Sequence, residues 1–252
     1  MAEPPALWRD LRRFTPARVA LGRAGHGLPT TAHLAFQAAH AAARDAVHAE
    51  LDVGALTADL AAHGIDATQV TSACPDRRTY LLRPDLGRGL ADADRAQLAA
   101  APTPGMIAFV ICDGLSSVAV QLHAASLLAQ VLPALDMAVG PVVVARQGRV
   151  ALGDDIGEAL QALAVAVLIG ERPGLSAPDS LGVYLTWKPH RGRVDSERNC
   201  ISNIRAEGLP VGQAAVKLKW LIGAMCRLQL TGVDLKDEQP ILPGANTAQV
   251  PG

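Results

Sequence analysis

The sequence predicts an α/β fold, an open, doubly wound and mainly parallel sheet preceded by an N-terminal helical segment. Two observations carry this reading. Short, continuous apolar runs occur at Met106–Cys112, Val142–Val144 and Ala164–Ile169, the pattern of strands buried on both faces. Segments of helical periodicity separate them, and strand, helix, strand, helix, strand is the order of right-handed parallel βαβ units, with helices on both faces of the sheet.

Taken in chain order, the first element is a long alanine-rich helix from Thr30 to about Leu51, with Leu34, Ala38 and Ala41 at helical spacing and Thr30 or Thr31 offering an N-cap oxygen. His26, His33 and His40 recur every seven residues, and His48 follows. Seven residues is about two turns, roughly 10 Å, too far for two ligands on one ion, so these are expected to be surface histidines. A short helix near Leu56–Ala62, a turn at Cys74-Pro75-Asp76 and a helix over Ala91–Ala101 come next. Pro102-Thr103-Pro104-Gly105 is a clear break, read as a module boundary.

The strand Met106–Cys112 runs into Asp113-Gly114-Leu115-Ser116-Ser117, a turn and cap for a helix to about Leu132. After the strand at Val142–Val144 come a helix over Gly153–Leu163, the strand Ala164–Ile169 and a more alternating strand at Leu181–Trp187. The last helix covers Pro210–Leu230, with Leu218, Leu221, Ile222, Met225 and Leu228 on one face and Gly232 to end it. The division expected is a helical segment over 1–104, a core over 105–235 and a flexible tail over 236–252.

Composition narrows the function. Half of the 252 residues are apolar but only 3% are aromatic, so the core must be built from Ala, Val, Leu and Ile. Lys and Arg number 23 against 24 Asp and Glu, for a formal charge of −1, which argues against nucleic-acid and acidic-membrane partners. The four cysteines, Cys74, Cys112, Cys200 and Cys226, are scattered without a C-x-x-C pair, so neither a zinc knuckle nor a redox dithiol is indicated. With no export signal and no run near 20 apolar residues, a soluble cytoplasmic protein is expected.

In an open parallel sheet, ligands bind beyond the carboxyl ends of the strands. The loops leaving there are Asp113–Ser117, Arg146–Val150 and Gly170–Leu175, each containing glycine. The usual enzyme signatures are absent: no G-x-S-x-G, no Walker sequence, no H-E-x-x-H, and Gly22-Arg23-Ala24-Gly25-His26-Gly27 fails as a dinucleotide fingerprint. No acid, base and nucleophile cluster, so the chain reads as half of a site.

Five segments carry a family resemblance: Arg18–Gly25, Tyr80–Arg88, Asp113–Ser116, Gly170–Leu175 and Cys200–Ile204. In this order, across roughly residues 10 to 235, they resemble the successive motifs of the ethanolamine ammonia-lyase small subunit. The resemblance implies a Rossmann-like core that sits against a large barrel subunit with adenosylcobalamin between them, in a hetero-oligomer built as a trimer of heterotetramers. The N-terminal helical segment would contact that large subunit. The reaction implied is conversion of ethanolamine to acetaldehyde and ammonia, begun by homolysis of the cobalt–carbon bond and hydrogen abstraction by the adenosyl radical, with the catalytic residues on the large subunit.

The resemblance also assigns cofactor contacts to Val150, Glu171 and Cys200, with no catalytic or metal-ligating residue in this chain. Read without it, the residues alone favour Glu171 as an ion-pair partner of Arg172 or Arg149, and Cys200 as a buried core thiol. Asp59-Leu60-Ala61-Ala62-His63-Gly64 lacks the D-x-H-x-x-G spacing of enzymes that ligate cobalt through histidine, so the cofactor is expected to keep its own base. Some family members carry a longer N-terminal extension associated with bacterial microcompartments. Here the recognisable core begins near Trp8–Phe14, which favours the free cytoplasm over encapsulation. Two rivals stand beside this reading: an independent Rossmann-type nucleotide-cofactor enzyme, and a non-catalytic assembly module.

Overall fold

The computed structural model describes residues 6–12, 14–15 and 17–238. Its centre is a sheet of six strands: β1 (Ala67–Thr71), β2 (Ile107–Cys112), β3 (Val139–Arg146), β4 (Ala164–Gly170), β5 (Leu181–Trp187) and β6 (Asn199–Ile204). Their spatial order is β1-β3-β2-β4-β5-β6. The pairs β1 with β3, β3 with β2, and β2 with β4 are parallel, whereas β5 is antiparallel to both β4 and β6. The sheet is therefore mixed, and the reason is connection length. Residues 171–180 and 188–198 are too few for a crossover, which takes about a dozen residues or more, so the chain turns back on itself at each end of β5.

β2 shows why the apolar runs become central strands. Ile107, Phe109 and Ile111 point to one face and Ala108, Val110 and Cys112 to the other, and all are buried. On the first face lie helices α3 (Val53–Ala62), α6 (Ser117–Val131) and α8 (Val211–Leu228), which bring Leu56, Leu128 and Met225 into contact with the sheet. On the second lie α5 (Asp92–Ala99) and α7 (Leu152–Ala159), through Leu98, Leu152 and Ile156. Burying each such aliphatic side chain is worth about 1.5–3 kcal/mol, so these two layers hold the fold. The segment Ser117–Ala134 is long and apolar enough to cross a membrane by composition. It is instead a core helix, with Val120, Leu127, Leu128 and Val131 fully buried.

Two strands were not expected, and β1 redraws the organisation. It lies within residues 1–104 yet pairs along its whole length with β3, from Ala67 opposite Val142 to Thr71 opposite Arg146. The segment before the break is thus not helical throughout, and Pro102–Gly105 is the loop entering β2. After β1, the short α4 (Arg77–Leu82) is capped by Asp76, whose carboxylate accepts from Thr79 N–H at 2.8 Å.

The N-terminal part holds α1 (Ala6–Leu11) and the long α2 (Thr30–His48). Pro29 precedes α2 and no side chain caps it, so the expected threonine cap does not form; Thr30 is already helical. Along α2 only Ala46 is buried, and His26, His33, His40 and His48 are all exposed, as surface histidines should be. α8 buries Leu218, Leu221, Ile222 and Met225, but Leu228 is exposed and Gln229, in the left-handed region at φ 57°, ends the helix in place of Gly232. Most of the tail expected from Lys236 onward lies outside the described residues.

Candidate functional site

The carboxyl ends of β2, β3 and β4 meet at a buried anchor, Asp113. Its Oδ2 accepts the N–H of Gln147 at 3.0 Å and its Oδ1 accepts that of Gly148 at 3.0 Å, so the residue after β2 fixes the turn after β3. Burial pushes its carboxyl up from the ordinary value, against the pull of the Arg77 guanidinium and the amides of Gln147 and Gly148. Arg77 Nη1 lies 3.4 Å from Asp113 Oδ2 and donates to the Gly114 carbonyl at 2.8 Å. The same guanidinium donates twice to the Val47 carbonyl, through Nε at 2.9 Å and Nη2 at 2.7 Å. The C-terminal end of α2 is thereby fastened to the carboxyl edge of the sheet.

Tyr80, fully buried on α4, completes the support. Its hydroxyl donates to the Gly148 carbonyl at 2.9 Å, and its ring lies between two guanidiniums, Arg77 at 4.9 Å and Arg149 at 4.2 Å from the ring centroid. Burial raises the Tyr80 phenol, which stays protonated and donating at neutral pH. The Tyr80–Arg88 motif is thus the platform beneath the Gly148-Arg149-Val150 turn, and the Arg149 N–H closes it by donating to the Gly87 carbonyl at 2.8 Å.

Above this platform is a cleft of about 400 Å³ lined by Tyr80, Leu115, Arg149, Val150, Ile169, Glu171, Arg172, Tyr184 and Ser202, with the backbone of Gly114 and Gly170. Two of the residues singled out from sequence, Val150 and Glu171, lie in it together. Glu171 is half-buried and its carboxylate accepts three hydrogen bonds: Ser180 hydroxyl at 2.5 Å, Ser202 hydroxyl at 2.5 Å and Asn203 N–H at 3.1 Å. Its partners are hydroxyls and an amide; no ion pair with Arg149 or Arg172 forms among the described residues.

Cys200 is not a wall of this cleft. It lies on β6 opposite Tyr184, two residues before Ser202 and on the same face of the strand. It is exposed rather than part of the core, and its thiol is raised by the desolvation of the surrounding protein and, further, by the nearby Glu171, against a lowering hydrogen bond to the Tyr184 hydroxyl. A raised thiol is a poor nucleophile, so Cys200 offers a packing surface and a weak hydrogen-bonding group. A larger groove, about 520 Å³, runs between Leu135–Met137 and α8 beside Trp220 and Cys226, away from the carboxyl ends of the strands.

Arg149, Tyr80, Tyr184 and Ser202 line the cleft without a sequence signal that marks them as site residues. Arg149 and Tyr80 stood inside the quoted turn and motif, where a buried tyrosine between arginines leaves no periodic mark. Tyr184 and Ser202 enter the cleft only because β5 and β6 fold back beside β4.

Nothing lining the cleft is a histidine, lysine or cysteine, and no group of three His, Cys, Asp or Glu among the described residues could hold a metal ion. The cleft has hydrogen-bonding groups of both kinds and apolar walls. These features place a cleft of mixed polarity at the carboxyl ends of the strands of an α/β protein. A profile of the ethanolamine ammonia-lyase light chain (EutC) matches residues 5–236. The ethanolamine ammonia-lyase small subunit of Bradyrhizobium diazoefficiens is 55% identical over 234 residues, covering 91% of this chain and 90% of that protein. That of Azotobacter vinelandii is 51% identical over 249 residues, covering 95% and 92%, and one from Pseudomonas fluorescens SBW25 is 49% identical over 255 residues, covering 96% and 92%. The chain belongs to the ethanolamine ammonia-lyase light-chain family, a family of lyase subunits.

Proposed function

We propose that the chain is the small subunit of an adenosylcobalamin-dependent ethanolamine ammonia-lyase, and that its cleft holds one edge of the cofactor against a large catalytic subunit. The observation that carries this is the meeting of Val150 and Glu171 in a single cleft at the carboxyl ends of parallel strands, beside Arg149 and Ser202. The core is read as Rossmann-like, on the strength of its parallel β1-β3-β2-β4 portion covered by helices on both faces.

The residues present fit the group. A cobalamin displays a ring of carboxamide arms and a nucleotide tail, so its edge calls for acceptors, donors and apolar walls together. Glu171 and the Ser202 hydroxyl supply acceptors, Arg149 supplies donors, and Val150, Leu115 and Ile169 supply the wall. Cys200 would extend the same surface along β6. When bound, the cofactor supplies the radical chemistry that removes ammonia from ethanolamine. This chain's residues orient and shield it: Asp113 and Tyr80 fix the Arg149–Val150 turn, and Ser180, Ser202 and Asn203 fix Glu171.

The N-terminal segment, with α2 anchored at this edge, would contact the large subunit, in an assembly read as a trimer of heterotetramers in the cytoplasm. The triple hydrogen bonding of Glu171 favours a second reading for that residue alone, in which it ties the loop after β4 to β6 and leaves the cofactor to its neighbours.

The test is acetaldehyde formation from ethanolamine and adenosylcobalamin by this chain co-expressed with its large subunit, and by each chain alone. Activity confined to the joint sample supports the reading; a stable cobalamin-loaded complex that yields no acetaldehyde sinks the substrate assignment. Glu171→Ala in the complex separates the two roles of that residue, since unchanged cobalamin affinity would leave it only the tie between loop and strand.

A further inference from the structure

We infer that Arg149 is a further cofactor-binding residue, whose guanidinium donates to an oxygen acceptor on the cobalamin, either the carbonyl of a carboxamide arm or the phosphate of the nucleotide tail. This rests on the reading that the cleft takes cobalamin, and it gives the Arg149 donors a specific acceptor on the ligand.

Three observations meet at this side chain. It lines the cleft between Val150 and Tyr80, so it stands where the ligand edge would lie. Its plane is already set, because it stacks 4.2 Å from the Tyr80 ring centroid, and Tyr80 is itself immobile between Arg77 and the Gly148 carbonyl. And its hydrogen-bonding capacity is almost unused. The guanidinium makes one long bond, from Nη2 to the Tyr80 carbonyl at 3.4 Å, while Nε is buried with no partner.

The contrast with other arginines is informative. Arg77 faces Asp113, Arg95 faces Asp155 and Glu158, Arg198 faces Asp154, and Arg205 faces Asp179. Arg149 faces no carboxylate among the described residues, although Glu171 shares its cleft; that carboxylate is held by Ser180, Ser202 and Asn203. A half-buried guanidinium carries five donors in a rigid fork, and leaving them unmatched is costly unless an acceptor arrives from outside. A pre-set, unpaired fork is suited to a planar carboxamide or a phosphate.

The experiment uses the complex with the large subunit. Cobalamin affinity is measured by spectroscopic titration for the wild type and for Arg149→Gln, with assembly of each checked by gel filtration. Loss of a charged donor should weaken binding by about tenfold or more. Repeating the titration with cobinamide, which lacks the nucleotide tail, assigns the acceptor: a defect that persists points to a carboxamide arm, and one that vanishes points to the phosphate. Because Arg149 also packs on Tyr80 within the turn, the wild-type complex is also treated with phenylglyoxal with and without cobalamin, and labelling at Arg149 is read by mass spectrometry. Protection by cobalamin is expected. An assembled Arg149→Gln complex with wild-type affinity, or equal labelling in the two conditions, would overturn the inference while leaving the cofactor reading intact. A wild-type complex that binds no cobalamin would remove both.

Discussion

The backbone N–H of Gly148 donates to Oδ1 of Asp113 at 3.0 Å, which joins the loop after β2 to the loop after β3 beneath the cleft. The same carboxylate takes the N–H of Gln147 and faces Arg77, whose guanidinium in turn holds the last turn of α2 through the Val47 carbonyl. Four segments therefore depend on one buried side chain. Asp113→Ala strands the guanidinium and two amides, and removing one partner of a buried pair costs about 3–5 kcal/mol. Urea denaturation should show that loss, and a change below about 1 kcal/mol would mean that water or a neighbour replaces the carboxylate.

Backbone spacing at the same edge predicts a second outcome. A Cβ on Gly170 would lie 2.0 Å from the Ser116 carbonyl oxygen, and one on Gly114 would lie 2.2 Å from that of Gly170, so the turns after β2 and β4 touch without room for a methyl group. Both obstacles are backbone and cannot swing aside. Gly170→Ala should destabilise by about 1–3 kcal/mol from overpacking and displace the Glu171 loop. In the complex, cobalamin affinity should fall along with stability. A Gly170→Ala protein of wild-type stability would show that the two turns have slack.

These turns were legible in the sequence as glycine-bearing loops after apolar runs; β2, β3 and β4 were legible because a strand buried on both faces must be continuously apolar, and β5 from its more alternating pattern. β1 and β6 were not. Ala-Thr-Gln-Val-Thr and Asn-Cys-Ile-Ser-Asn-Ile are short and polar, since each sits at an edge with exposed residues, and only pairing with β3 or β5 makes them strands. The reversal at β5 depends on loop length, a feature that periodicity does not carry. Within the site, Val150 and Glu171 could be named from motifs, but the role of Tyr80 could not: a tyrosine between two guanidiniums is a meeting of residues some seventy positions apart in the chain, Tyr80 with Gly148 and Arg149.

The cap of α4 gives a pH dependence. The Asp76 carboxyl lies below its ordinary value of 3.8, chiefly because its charged form accepts from the Thr79 N–H and then from the Thr79 hydroxyl. The folded chain thus binds this proton less readily than the unfolded chain. The stability that the cap contributes is complete above the unfolded value and is lost as pH falls through the lowered folded one. Because α4 carries Arg77 and Tyr80, acid should loosen the platform from this end. Asp76→Asn keeps a capping oxygen but does not titrate. Its unfolding free energy, followed from neutral pH into the acid range, should decline less steeply than that of the wild type; parallel curves would exclude Asp76 as a source of acid sensitivity.

α2 leads to the last outcome. It contributes only Ala46 to the core, while Leu34 is 57% and Phe36 40% exposed. Phe36 is touched by the guanidinium of Arg18, 5.9 Å from its ring centroid, and that same arginine reaches the Leu175 carbonyl beyond the cleft. A helix with so little of its apolar surface buried gains little from packing within this chain, which leaves its large apolar residues free to meet a partner. Leu34→Asp with Phe36→Asp should therefore change the stability of the chain by less than about 1 kcal/mol, since neither side chain leaves a core cavity. The same pair of charges should sharply lower the yield of complex recovered on a tagged large subunit and raise the soluble fraction of the chain expressed alone. If the doubly substituted chain instead assembles at wild-type yield, α2 lies outside the interface and the anchor at Val47 serves only the fold.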